Sequence, residues 1–225
     1  MADERAGARE ASGELDALWL DVLQQVAAKA AHEIKGALNG VCVNLEVVRG
    51  RASAQAAAPA SGIARFADAA SDQLNELIAM NEALLALTRR PRDVVDVLTT
   101  AGHLVALLGP AARSDGGVLR LASSSSMGGG ATSAPAVAVR LVLASAMLRA
   151  LEKRTATTCR VDAADGMVIR IECADGSALE LDPRVADAAA AAGIRVESGP
   201  DGLSLAFPRA GRTSGRRSAP TRELA

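Results

Sequence analysis

Apolar residues recur at three- and four-residue steps through the first ninety positions of the chain. From Glu14 the series Leu15, Trp19, Val22, Val26, Ala30, Ile34, Leu38, Val41, Leu45 and Val48 keeps close to the ~3.6-residue period of a helix. The pattern predicts one helix from Glu14 to about Gly50, a rod of roughly 50 Å, with the charged and small residues before it as a frayed lead-in. RGRASAQAAAPASG then interrupts the period with Gly50, Pro59 and Gly62 and reads as a loop. A second stripe of Ile63, Phe66, Ala70, Leu74, Leu77, Leu84 and Leu87 stops at Arg89-Arg90-Pro91, where cations suit a helix C-terminus and proline ends it. Two such helices form an antiparallel hairpin. A hairpin is one layer and cannot cover both stripes, so a homodimer paired as a four-helix bundle is the economical arrangement.

Beyond Pro91 the period changes. Val94 to Leu108 reads as a helix ended by Gly109-Pro110, and Gly117 to Leu121 as a strand. SSSSMGGGATSAP is polar and glycine-rich and reads as a flexible loop. An alanine-rich helix from about Ala136 to Arg154 follows, then strands at Thr158 to Asp162 and Met167 to Cys173 around an Ala164-Asp165-Gly166 turn. A short helix at Val185 to Ala192 and a last hairpin, 193–198 with 203–208, complete the series. The fold class is therefore α+β: a helical hairpin over 14–91, a mixed sheet with helices on one face over 92–208, and a basic, disordered tail over 209–225.

Composition narrows the function classes. Hydrophobic residues make up 49% of the 225 positions but aromatics only 1%, so the core is built of Ala, Leu and Val. With 25 basic and 26 acidic residues the net charge is -1, which argues for neither nucleic acid nor an anionic membrane as partner. MADERAGARE lacks a signal-peptide pattern and no apolar run approaches the ~20 residues of a spanning helix, so a cytoplasmic protein is expected. Cys42, Cys159 and Cys173 form no CxxC pair and are expected as free thiols; no metal site is expected.

One stretch carries chemistry: Ala31 to Val41, AHEIKGALNGV. It sets His32 on the first helix, off the apolar stripe, with Glu33 directly after it. A neutral imidazole displayed beside a helical seam can act as a nucleophile, since its ordinary pKa near 6.5 leaves much of it unprotonated at neutral pH. Lys29 and Lys35, three residues to either side, and small Gly36 four residues on are its helical neighbours. The plainer reading is a solvated polar face. His103 has no adjacent acid and reads as structural, and the GGG at Gly128 lacks the Lys-Ser/Thr of a phosphate loop.

The order His32, Glu33, Ile34, Lys35, Gly36, Ala37, Leu38, Asn39 resembles the H-box of sensor histidine kinases. The elements after it, in their order, resemble the ATP-binding domain that follows that hairpin. The resemblance implies His32 as phosphoacceptor, Glu33 as general base or holder of the ring tautomer, and Lys29, Lys35, Gly36 and Asn39 as the surface that meets partner and phosphoryl group. The nucleotide boxes depart from it. Ser145 and Arg149 stand where magnesium-binding groups belong, and a guanidinium cannot coordinate Mg²⁺. Asp175 stands where the adenine-binding acid would be and is either its relic or a turn residue. The spaced glycines that would cradle phosphates are missing.

The expected function is that of a histidine-containing phosphotransfer protein. It would pass a phosphoryl group between His32 and receiver aspartates of response regulators, with no cofactor of its own and with Mg²⁺ supplied by the partner receiver. The alternatives are a divergent autokinase and a non-catalytic pseudokinase scaffold that binds a response regulator.

Overall fold

The computed structural model describes residues 2–53, 60–89, 95–123, 130–162, 167–200 and 202–210. Helix α1 (Ala2–Ser53) and helix α2 (Ala60–Thr88) form the hairpin. The expected lead-in is helical, as Ala, Glu and Arg are good helix formers with no proline among them. Part of the expected loop is helical too, since α1 runs through Ser53 and α2 takes in Gly62; the rest of it, 54–59, lies outside the described residues.

The second half comprises strand β1 (Val95–Asp96), helix α3 (Val97–Ser114), strands β2 (Val118–Ser123) and β3 (Ala131–Thr132), and helix α4 (Ala136–Glu152). Strands β4 (Ala156–Asp162) and β5 (Met167–Cys173), helix α5 (Pro183–Ala191), and strands β6 (Arg195–Gly199) and β7 (Gly202–Phe207) follow. The main sheet has the order β2-β4-β5-β7-β6, with β2 and β4 parallel and every other pair antiparallel. The fold is thus mixed α+β, as expected. The turn at 164–166 and the tail beyond Ala210 lie outside the described residues.

Two further expectations fail. Helix α3 does not stop at Gly109-Pro110 but carries Pro110 in its interior. Proline there forgoes one backbone hydrogen bond. The gain on the other side is a continuous buried face, with Leu107, Leu108, Ala111 and Ala112 all in the core. The glycine-rich segment ahead of α4 is ordered at its end: Asp96 accepts from Thr99 N at 2.7 Å as the N-cap of α3 and from Gly130 N at 2.9 Å, and β1 pairs with β3. Residues 124–129 of that segment lie outside the described residues.

The core is one hydrophobic cluster shared by hairpin and layer. Leu18, Trp19, Val22, Val26 and Ala30 of α1 and Met80, Ala83 and Leu87 of α2 join α3, α4 and the inner sheet face. Much of the stripe that suggested a second chain is therefore covered by the protein's own α3 and α4. Elsewhere on the two helices, Leu20, Leu38, Val43, Leu45, Leu74, Ile78 and Leu85 remain 48–60% exposed. Cys159 and Cys173 are buried free thiols and Cys42 is an exposed one; burial pushes the Cys159 thiol up to about 12, with Cys173 adding to the shift.

Gly202 marks the tightest backbone approach. It sits at φ +136°, where side chains are strained, and a Cβ there would strike the Ile171 carbonyl across the β5–β7 ladder.

Candidate functional site

His32 lies on α1 at the level where the hairpin leaves the α/β layer. That level is marked by the last turn of α3: Ser114 Oγ donates to Glu33 Oε2 at 3.0 Å, and Arg113 pairs with Glu76 of α2. The end of α3 is thus wedged between the two helices. Past Ile34, α1 extends a further nineteen residues, about 28 Å, and none of them through Ala52 is buried.

His32 is exposed. At ~100° per residue, Lys29, Lys35, Gly36 and Asn39 all fall within about 60° of it around α1. Lys35, Gly36 and Asn39 are exposed and Lys29 is half-buried. A Cβ added to Gly36 would meet nothing within 4 Å, so the approach to the imidazole from that side is open. The five residues selected from the sequence therefore share one accessible face. Two lysines there can offset the charge of a phosphoryl group without occupying the ring's own position.

Glu33 is the exception. It lies about 100° round from His32, half-buried, with its carboxylate engaged by Ser114. In this arrangement it ties α1 to α3.

On the other flank of α1, Leu38 and Leu45 lie about 120–140° from His32. On α2, Leu74, Ile78 and Leu85 repeat at four- and seven-residue steps. All five are exposed, on the sides of the two helices turned away from Glu33 and Glu76. Between these flanks the hairpin is closed by Gly40 packed under Gln73 and by Asn44 Nδ2 donating to Gln73 Oε1 at 3.1 Å.

The nucleotide-box positions are occupied differently. Ser145 is buried in α4, its hydroxyl without a hydrogen-bond partner. Arg149 is ion-paired with Glu152 at 3.1 Å beside a cavity of about 260 Å³ that α4 shares with α1 and the start of α5. Asp175 is exposed and accepts from Ser177 N at 3.0 Å and Ser177 Oγ at 2.6 Å. Those bonds, the hydroxyl's first, hold its carboxyl below the usual range, and they make it the closing residue of its own turn. Among the described residues, no group of three or more His, Cys, Asp or Glu could hold a metal ion. Nor is any helix among them long and apolar enough to cross a membrane.

The residue that periodicity overlooked is Arg140. It is buried in α4, and its guanidinium donates to Arg89 O at 2.8 Å and Ala86 O at 3.1 Å, capping the end of α2. Its only sequence signal is a lone charge in the apolar run AVAVRLVLASAM. His103 of α3 is half-buried nearby; burial, and then the charge of Arg140, lower its pKa. No protein-family model matches the chain, and no curated protein matches it.

Proposed function

We propose that the chain is a histidine-containing phosphotransfer protein of a two-component phosphorelay, with His32 the phosphoacceptor. The observation that carries this reading is the exposed imidazole on an open helical face with Lys29, Lys35, Gly36 and Asn39 around it. In the step proposed, a ring nitrogen lone pair attacks the phosphorus of a receiver's aspartyl phosphate. The P–O bond to the aspartate breaks, and the carboxylate leaves with the electron pair, its charge balanced by the receiver's own Mg²⁺. The lysines offset the equatorial oxygens. For Glu33 to take the ring proton, its side chain exchanges Ser114 for the imidazole.

The reading includes a homodimer. Leu38, Leu45, Leu74, Ile78 and Leu85 give each hairpin an apolar flank that a second copy would cover as a four-helix bundle, leaving His32 to the side. The α/β layer is then a relative of histidine kinase ATPase domains without their phosphate cradle. Arg149, engaged with Glu152, and Asp175, closed on Ser177, supply no metal or adenine contact in this reading.

The test is acid-labile phosphate on the full chain and on His32→Gln, with labelled ATP alone and with a phosphorylated receiver as donor. Label from the receiver only, lost in the variant, is the expected result. Label from ATP alone would make the protein an autokinase. No label from a panel of receivers would sink the phosphotransfer reading. Light scattering should give twice the chain mass, falling to one chain mass when Leu45 and Leu74 are both replaced by Ser.

A further inference from the structure

Among the described residues, the helices cover one face of the main sheet and leave the other open. Strand alternation puts Arg120 of β2, Arg160 of β4, Arg170 of β5 and Arg195 of β6 on that open face, all exposed. The ladder register makes Arg160 and Arg170 direct cross-strand partners, while Ala122 opposite Arg160 places Arg120 on its diagonal. Like charges directly opposite one another destabilise a sheet, because their side chains start only ~5 Å apart.

One carboxylate answers them: Arg160 Nε meets Glu172 Oε2 at 2.8 Å. Among the described residues, Arg120, Arg170 and Arg195 make no ion pair. Beside Arg170 the small residues Gly202 and Ser204 of β7 floor a furrow of about 280 Å³, walled by Arg170 and Glu172 on one side and by Glu197 and Pro200 on the other. A protein of net charge -1 thus gathers four guanidiniums, against the two carboxylates of Glu172 and Glu197, and a furrow on one face.

We propose that the open sheet face is a docking surface for an acidic protein partner, whose carboxylates pair with Arg120, Arg160, Arg170 and Arg195. Guanidiniums take carboxylates bidentately, and a bound acidic segment relieves the repulsion between Arg160 and Arg170. A protein fits better than a nucleic acid on two counts. The face has no aromatic side chain on which a base could stack, and Glu172 and Glu197 interrupt the arginines, which separate carboxylates of a protein can step around and a continuous phosphate backbone cannot. The surface is separate from His32 and does not depend on the phosphotransfer reading.

The experiment uses the full chain and two fluorescent probes, a twelve-residue peptide of alternating Glu and Ser and a single-stranded DNA of equal charge, read by anisotropy at low and physiological salt. Expected is peptide binding that weakens with salt, falls about tenfold or more in R160S/R170S and again in R120S/R195S, and is unchanged in R113S, R149S and H32Q. Circular dichroism should show both double variants folded, with R160S/R170S no less heat-stable than the parent. Single R170T and R120T variants, each weakening binding by a smaller factor, stand in if a double variant unfolds. Equal binding by parent and face variants, no peptide binding at low salt, or tighter binding of the DNA would each overturn the proposal.

Discussion

The two ends of the helical hairpin obey different rules. Near the layer, Val26, Ala30, Met80, Ala83 and Leu87 are at most 1% exposed, held under α3 and α4. Beyond the Glu33–Ser114 contact the same stripe of α1 faces water, with Leu38 at 48% and Leu45 at 53% exposure. Composition does not separate the ends; topology does. An apolar stripe says that a helix has a partner, and only the chain's path decides whether the partner is its own. His32 sits at the junction, where the α/β layer anchors α1 and an open face begins.

The largest effect tests that contrast directly. Leu87→Ala empties a closed site and is expected to cost about 2–5 kcal/mol in urea unfolding. Leu45→Ala in dilute protein should stay within about 0.5 kcal/mol, since its side chain is already half in water. Equal costs at both sites would mean that the distal flank is covered even at low concentration.

Next comes Arg140. Arg140→Leu removes the donors to the Ala86 and Arg89 carbonyls and should cost about 1–3 kcal/mol, with faster hydrogen exchange in the last turns of α2. Arg140→Lys should recover part of that cost, since one ammonium cannot span two carbonyls as the guanidinium fork does. No change in α2 exchange would show that packing of Leu87, and not the cap, holds the proximal end.

What could be read in advance divides along similar lines. Strand β5 is legible to the residue because Met167, Ile169, Ile171 and Cys173 put an apolar side chain at every second position. The face around His32 was legible because a helix converts spacing into direction. At Pro110 of helix α3 the local rule against proline loses to the burial of Leu107, Leu108, Ala111 and Ala112. The docking of the hairpin on α3 and α4 was not legible at all, because it depends on contacts between elements far apart in sequence. Arg140 shows the cost of that: a lone charge in an apolar run signals a buried partner without naming it.

At the distal end a smaller change is informative. Gly36→Ala adds a methyl group to open space in mid-helix and should raise stability by about 0.5–1 kcal/mol, read as a higher urea midpoint. Because Gly36 shares the His32 face, the same variant should also slow phosphoryl transfer from a receiver if the partner's backbone comes close there. A lower midpoint would show that this face is already packed against something.

The smallest effect belongs to pH at the proximal end. His103 has its pKa lowered in the folded protein, by burial first and by the Arg140 charge second. The unfolded chain therefore binds the proton more readily than the folded one. Stability contributed by the neutral ring is present above the ordinary histidine range near 6.5 and is lost as pH falls through that range towards the lower folded value. Urea midpoints of the parent should thus drop between about pH 7 and pH 5 by more than those of His103→Gln. Arg140→Leu should shrink the drop only partly, since it removes the second cause and leaves the burial. A parent and His103→Gln that lose stability in parallel would show that the ring at position 103, for all its burial beside Arg140, carries none of the acid sensitivity.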